Sequence, residues 1–109
     1  TNTFLATKVS YANEIYTICN KLNIDYSNLI KLCLYDKRLG ESHWQVPGPD
    51  GKKGFGGSCF PKDLNALIFL AESLDINLNV LKSAWKTNLN MRPEKDWESL
   101  KGRAVVEEE

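Results

Sequence analysis

The chain has 109 residues, one domain's worth of polypeptide near the lower end of usual domain sizes. Lysine plus arginine balance aspartate plus glutamate, so no excess charge argues for nucleic acid or a membrane surface, and no apolar run or N-terminal segment reads as a membrane span or signal peptide. Three cysteines, an odd number with no close pair and no histidine at ligand spacing, argue against a disulfide framework and a zinc site and fit a reducing cytoplasm.

Taken in order, Phe4, Leu5, Val9, Ala12, Ile15, Tyr16, Cys19 and Leu22 fall on one stripe of a long helix. Lys8, Asn13, Glu14 and Lys21 fall between them, and Asn23 is a stop. So long a stripe on the first element of a small domain implies burial against something large. Asp25 or Ser27 can cap a second, shorter helix carrying Leu29, Ile30, Leu32, Cys33 and Leu34 and ending near Asp36. Cys19 and Cys33 are expected on faces turned to the core. From residue 37 to residue 60 no period is sustained, and Pro47, Gly48, Pro49, Asp50 and Gly51 are strong turn formers. A loop that long inside a small domain is usually functional.

A third helix is expected over residues 61–74, with a break at 75–77. A fourth carries Leu78, Val80, Leu81, Ala84, Trp85 and Leu89 and must end by Arg92, because Pro93 cannot continue it. Trp97 and Leu100 would pack back on the body. After Gly102 the run Ala104, Val105, Val106 reads as the opening strand of another domain, cut short, which divides the chain into 1–101 and 102–109. The fold class expected is all-α, about four helices with one long loop.

The chemistry concentrates in residues 54–63, G-F-G-G-S-C-F-P-K-D. Three glycines in four positions let the backbone press against a ligand. Cys59 follows them directly, just before a helix start marked by Pro61, where the positive end of the helix dipole favours thiolate over thiol. Asp63 lies one turn in. Each feature alone is common, since a lone cysteine is usually a small buried hydrophobe and a first-turn aspartate often serves only the dipole. Together, over ten residues, they make a covalent-catalysis site.

The stretch G-F-G-G-S-C-F-P-K-D-L resembles the active-site signature of the UDP-glucose 6-dehydrogenase family, within the nucleotide-sugar 6-dehydrogenases. N-T-F-L-A-T-K-V-S-Y-A-N-E, D-K-R-L-G and P-G-P-D-G resemble the middle region of the same family, so nearly the whole chain is covered. The resemblance implies a helical dimerisation domain lying between two nucleotide-binding domains, with the long first helix as the spine of a homodimer. It implies NAD as cofactor and UDP-glucose as substrate, with no metal. Cys59 would be the nucleophile, Asp63 a general base acting through water, and Asn2 an oxyanion donor whose family partner, a lysine, would precede Thr1. Arg38 would reach the substrate of the other subunit. Gly54, Phe55 and Gly56 would line the sugar, Gly48, Pro49, Asp50, Gly51 and Lys52 would form part of the same lid, and Lys62 would stand near the cofactor. The single histidine, His43, matches no role. No G-x-G-x-x-G fingerprint is present, so the chain is expected to be a piece of a longer enzyme. Related GDP-mannose or UDP-N-acetyl-mannosamine dehydrogenases share the glycine-cysteine motif, and a non-catalytic dimerisation module is the reading from another class. A thiol hydrolase is disfavoured because the histidine has no motif context near the thiol.

Overall fold

The structure, a computed structural model, describes residues 1–100. The expected strand at 104–106, the 102–109 segment and the packing of the Leu100 side chain lie outside the described residues. Four α-helices form, α1 (Asn2–Lys21), α2 (Tyr26–Cys33), α3 (Cys59–Ser73) and α4 (Asn79–Met91), with short 3-10 turns at Lys37–Leu39 and Asp96–Leu100. Among the described residues there is no strand, and no helix is long and apolar enough to cross a membrane. The all-α expectation holds.

The helix ends follow from local chemistry. Asn23 and Asp75 take positive φ just past α1 and α3, and the N–H groups of Ile24 and Ile76 donate back to the carbonyls of Cys19 and Ala71 at 2.8 Å. These are left-handed helix stops at residue types that tolerate them. Asp25 rather than Ser27 caps α2, its carboxylate accepting from the Asn28 N–H. Helix α3 begins at Cys59, two residues before the proline expected to open it. The first N–H groups of a helix have no intrahelical partner, so Pro61 costs nothing in the first turn and does not have to stand at its head. Cys59 is therefore the first residue of the helix.

Helix α1 is the axis on which the others pack, α3 and α4 along one part and α2 along another. Two cores result. Ala12, Cys19, Tyr26, Trp44 and Val46 form one, joined by Ile15, Tyr16, Leu29, Ile30, Leu34 and Leu39. Ala6, Phe55, Leu64 and Ile68 form the other, with Val9, Phe60, Leu81 and Trp85 against it. Small residues let α1 and α4 approach closely, and the Ser10 hydroxyl donates to the Ala84 carbonyl at 2.7 Å across the contact. Trp97 is buried and stacks near Trp85, so this part of the chain does fold back. The long loop enters both cores, through Trp44 and Val46 in one and Phe55 in the other. Its Trp44 carbonyl accepts from the Tyr26 hydroxyl at 2.7 Å, and Lys8 sits over the Trp44 ring.

Two expectations need correction. The apolar residues of α1 do not form a single buried stripe. Phe4 and Leu22 are exposed, with Tyr11 and Ile18 beside them, while Ser10 and Asn13 are buried. Val9, Ile15 and Tyr16 pack against the two cores beside the small and hydrogen-bonded residues, while Phe4, Tyr11, Ile18 and Leu22 lie outside. Cys33 is also exposed rather than turned to the core. The contacts of α2 with the core are made by Tyr26, Leu29 and Ile30, with Leu34 at its C-cap, and they do not extend to Cys33 in the last turn.

Candidate active site

The glycine turn ahead of Cys59 is held by side chains from two helices. Asn13 on α1 accepts from the Gly54 N–H at 3.0 Å. Asn88 on α4 pairs with both backbone groups of Phe55, accepting from its N–H at 2.7 Å and donating to its carbonyl at 2.9 Å. One turn later Arg92 donates from Nε to the Lys53 carbonyl at 3.0 Å and from Nη2 to the Gly54 carbonyl at 3.2 Å. The same guanidinium pairs with Asp50 at 2.8 Å and Asp96 at 3.3 Å. Asp96 in turn accepts from the Gly57 N–H at 3.1 Å. Burial pushes the Asp96 carboxyl up, but the Gly57 N–H and the charge and hydrogen bond of Arg92 outweigh it and hold the group below the usual carboxylate range.

This packing explains two of the glycines. A Cβ at Gly56 would land on the Arg92 guanidinium and the Asp96 carboxylate. At Gly54, φ is +69° and a Cβ would stand 2.5 Å from Asn88 Oδ1. Neither position accepts a side chain without breaking the turn.

Cys59 emerges from this turn exposed, with the Ser58 hydroxyl 3.9 Å from its sulfur. Asp63 follows four residues along α3, on the same face of the helix. Its Oδ2 accepts from Asn2 Nδ2 at 2.7 Å. The first turn of α1 and the first turn of α3 thus meet in one hydrogen bond, which brings together Asn2 and Asp63, two residues singled out in the sequence, one helical turn along from Cys59.

The other expected site residues are placed differently. Gly48, Pro49, Asp50, Gly51 and Lys52 form a tight turn, with the Gly48 N–H on the Lys52 carbonyl and the Gly51 N–H on the Gly48 carbonyl, each at 2.9 Å. Asp50 ties that turn to Arg92, so one guanidinium links it to the Gly54 turn. Phe55 puts its ring into the core, against Phe60 and Trp85. Lys62 is exposed on the first turn of α3. Arg38 is not brought to these residues. It lies exposed in the 3-10 turn, paired with Asp36 at 2.7 Å, and its hydrogen bonds hold the Asp36 carboxyl below the usual range while the pair raises its own. Among the described residues no three histidine, cysteine or acidic side chains gather as a metal-ligand set.

Asn13, Asn88, Arg92 and Asp96 went unread in the sequence. A signal for two of them was there: Leu81, Ala84, Trp85, Asn88 and Arg92 recur at helical spacing, so Asn88 and Arg92 continue the apolar face of α4. Polar residues on such a face need buried partners.

The pattern of the UDP-glucose/GDP-mannose dehydrogenase family, central domain, matches residues 1–90. The chain is 41% identical over 91 residues to the UDP-glucose 6-dehydrogenase YwqF of Bacillus subtilis (strain 168), covering 84% of this chain and 20% of that protein. It is 41% identical over 92 residues to the UDP-glucose 6-dehydrogenase of Rickettsia typhi (strain ATCC VR-144 / Wilmington), with the same coverage. It is 39% identical over 88 residues to the GDP-mannose 6-dehydrogenase of Pseudomonas savastanoi pv. phaseolicola, covering 80% of this chain and 19% of that one. The chain therefore spans about a fifth of the length of the curated relatives it matches. With the match running through α1, the glycine turn, Cys59 and most of α4, the chain belongs to the UDP-glucose/GDP-mannose dehydrogenase family, as its central domain.

Proposed function

We propose that this chain is the nucleophile-bearing, dimer-forming part of an NAD-dependent UDP-glucose 6-dehydrogenase, oxidising the C6 alcohol of UDP-glucose to the carboxylate of UDP-glucuronate. The observation that carries the reading is the Asn2–Asp63 hydrogen bond one helical turn beyond an exposed Cys59. An amide, a carboxylate and a thiol are the three groups such an oxidation needs beside the substrate carbon.

Two NAD+, bound one after the other, would each take up one hydride from C6. This chain offers the cofactor one side chain, Lys62, an exposed cation three residues past Cys59 that suits an anionic dinucleotide. The first oxidation turns the alcohol into an aldehyde, and its proton leaves to a base, the role we assign to Asp63 acting through water. An aldehyde gives up hydride only after something has added to its carbonyl. The Cys59 sulfur adds, forming the C–S bond of a thiohemiacetal, while the carbonyl oxygen is held by the Asn2 amide. Loss of the second hydride leaves a thioester. Water, deprotonated by Asp63, attacks it, the C–S bond breaks, and the thiol is restored with the acid released.

Arg38, exposed and paired with Asp36, suits a role on the substrate of a second copy in a homodimer built on α1. Exposed Phe4, Tyr11, Ile18 and Leu22 give α1 an outward apolar row for that contact. Lid and sugar contacts fall to residues 48–52 and to Gly54 and Gly56, with Phe55 acting from the core side. The compartment proposed is the cytoplasm, and neither nucleic acid nor a membrane is a partner. GDP-mannose is the second substrate to weigh, because the relative of that specificity is nearly as similar as the others.

The test is NADH production by the full-length protein offered UDP-glucose, GDP-mannose and UDP-N-acetyl-mannosamine in turn. Two NADH per UDP-glucose, with little from the others, is the expected result. Turnover of GDP-mannose alone would move the specificity, and turnover of none would remove the dehydrogenase reading.

A further inference from the structure

Arg92 is almost wholly buried, yet none of the steps above touches it. Burying a guanidinium is expensive, and an apolar residue of similar size would often be as stable or more so. Its donors are therefore placed for something that an apolar side chain cannot do. They serve two loop carbonyls, of Lys53 and Gly54, and two carboxylates, of Asp50 and Asp96. Asn88, in the last turn of α4 ahead of Arg92 at its C-cap, is fully buried and serves both backbone groups of Phe55. Among the described residues no buried side-chain nitrogen or oxygen lacks a partner. The set is complete, and all of it converges on residues 50–57.

We infer that Arg92, supported by Asn88, is the positioning residue that fixes the glycine turn and through it sets where the Cys59 thiol stands at the head of α3. The inference rests on the reading of Cys59 as the nucleophile. Its geometry is a three-point clasp. One arm of Arg92 takes the carbonyls entering the turn, and another reaches Asp96, which holds the Gly57 N–H on the way out. Asp50 brings the preceding turn onto the same guanidinium. A lysine at 92 keeps the charge but has a single ammonium, which cannot span two carbonyls and two carboxylates. The close contact under Gly56 belongs to the same device, because any side chain there would displace the clasp.

The experiment compares wild type, Arg92→Lys and Asp96→Ala in the full-length protein, with amide exchange and iodoacetamide alkylation read peptide by peptide. In Arg92→Lys, exchange in residues 53–58 should rise at least about tenfold, the scale of one lost charge-assisted hydrogen bond, while α1 and α2 peptides stay as they were. Alkylation of Cys59 relative to Cys33, an exposed thiol on another helix, should fall by about threefold as the head of α3 frays and its dipole is lost. Asp96→Ala leaves the core alone and removes the acceptor of the Gly57 N–H, so it carries the same test should Arg92→Lys not fold, with the same direction expected. Unchanged exchange and an unchanged Cys59 to Cys33 ratio in a folded variant would overturn the inference. So would a parallel rise in every peptide, which would make Arg92 a stabiliser of the whole domain. Neither readout needs substrate or NAD, so a loose clasp and a Cys59 that is not the nucleophile give separable results.

Discussion

A methyl group added at Gly56 would fall on the guanidinium of Arg92 and the carboxylate of Asp96, two groups already committed to each other. Gly56→Ala should therefore cost about 1–3 kcal/mol, the usual range for overpacking, and lower the midpoint of thermal unfolding. An unchanged midpoint would mean that the turn yields freely. Asn2 sits in a different kind of contact, its amide bonded to Asp63 at the edge of solvent. Asn2→Ala should leave unfolding nearly unaltered and lower turnover of the full-length enzyme on the order of 10²–10³-fold, as for other oxyanion donors. A loss of stability without loss of turnover would assign Asn2 to the fold instead.

At the scale of the helices, α1 presents two sets of residues. Ala6, Ser10, Ala12, Asn13 and Cys19 face inward, whereas Phe4, Tyr11, Ile18 and Leu22 face outward. Ile18→Glu, on the outer row, should convert a dimer to a monomer in sedimentation at micromolar concentration, with helix content retained. A dimer that survived it would place the contact elsewhere. Helix α2 is fastened to the loop by Tyr26, whose hydroxyl donates to the Trp44 carbonyl. Burial first, then the proximity of Cys19, Cys33 and Tyr11, pushes the Tyr26 hydroxyl up to about 12. A folded-state value above the ordinary one means that the unfolded chain loses this proton first. The stabilisation is thus complete below about pH 10 and lost as pH rises towards 12. Tyr26→Phe should flatten the fall in stability over that window and cost about 1 kcal/mol below it. An equally steep fall in the variant would point to other groups.

Across the described residues, what can be read from sequence are the elements that depend on local rules: four helices, their stops at Asn23 and Asp75, and the end of α4 ahead of Pro93, with the glycine stretch leading into Cys59 at the head of α3. Tertiary partners were harder to see. Asn13 falls between the apolar positions of its helix, and only the fold shows that its side-chain oxygen accepts from the Gly54 N–H. Arg92 looked like a helix terminus, although its partners lie 38 and 39 residues earlier in the chain. No periodicity carries information over such a separation. The same geometry makes the loop part of both cores, so the glycine turn belongs to the framework and only its outer edge, with Cys59, meets solvent. We propose that this edge forms a covalent bond with the substrate carbon, and acid formation by the full-length Cys59→Ala variant with UDP-glucose and NAD is the decisive measurement. The expected fall is on the order of 10⁴-fold or more, the scale of losing an enzymatic nucleophile, with the first hydride transfer affected far less than the second. Acid appearing at the unmodified rate would contradict it and leave Cys59 a structural residue.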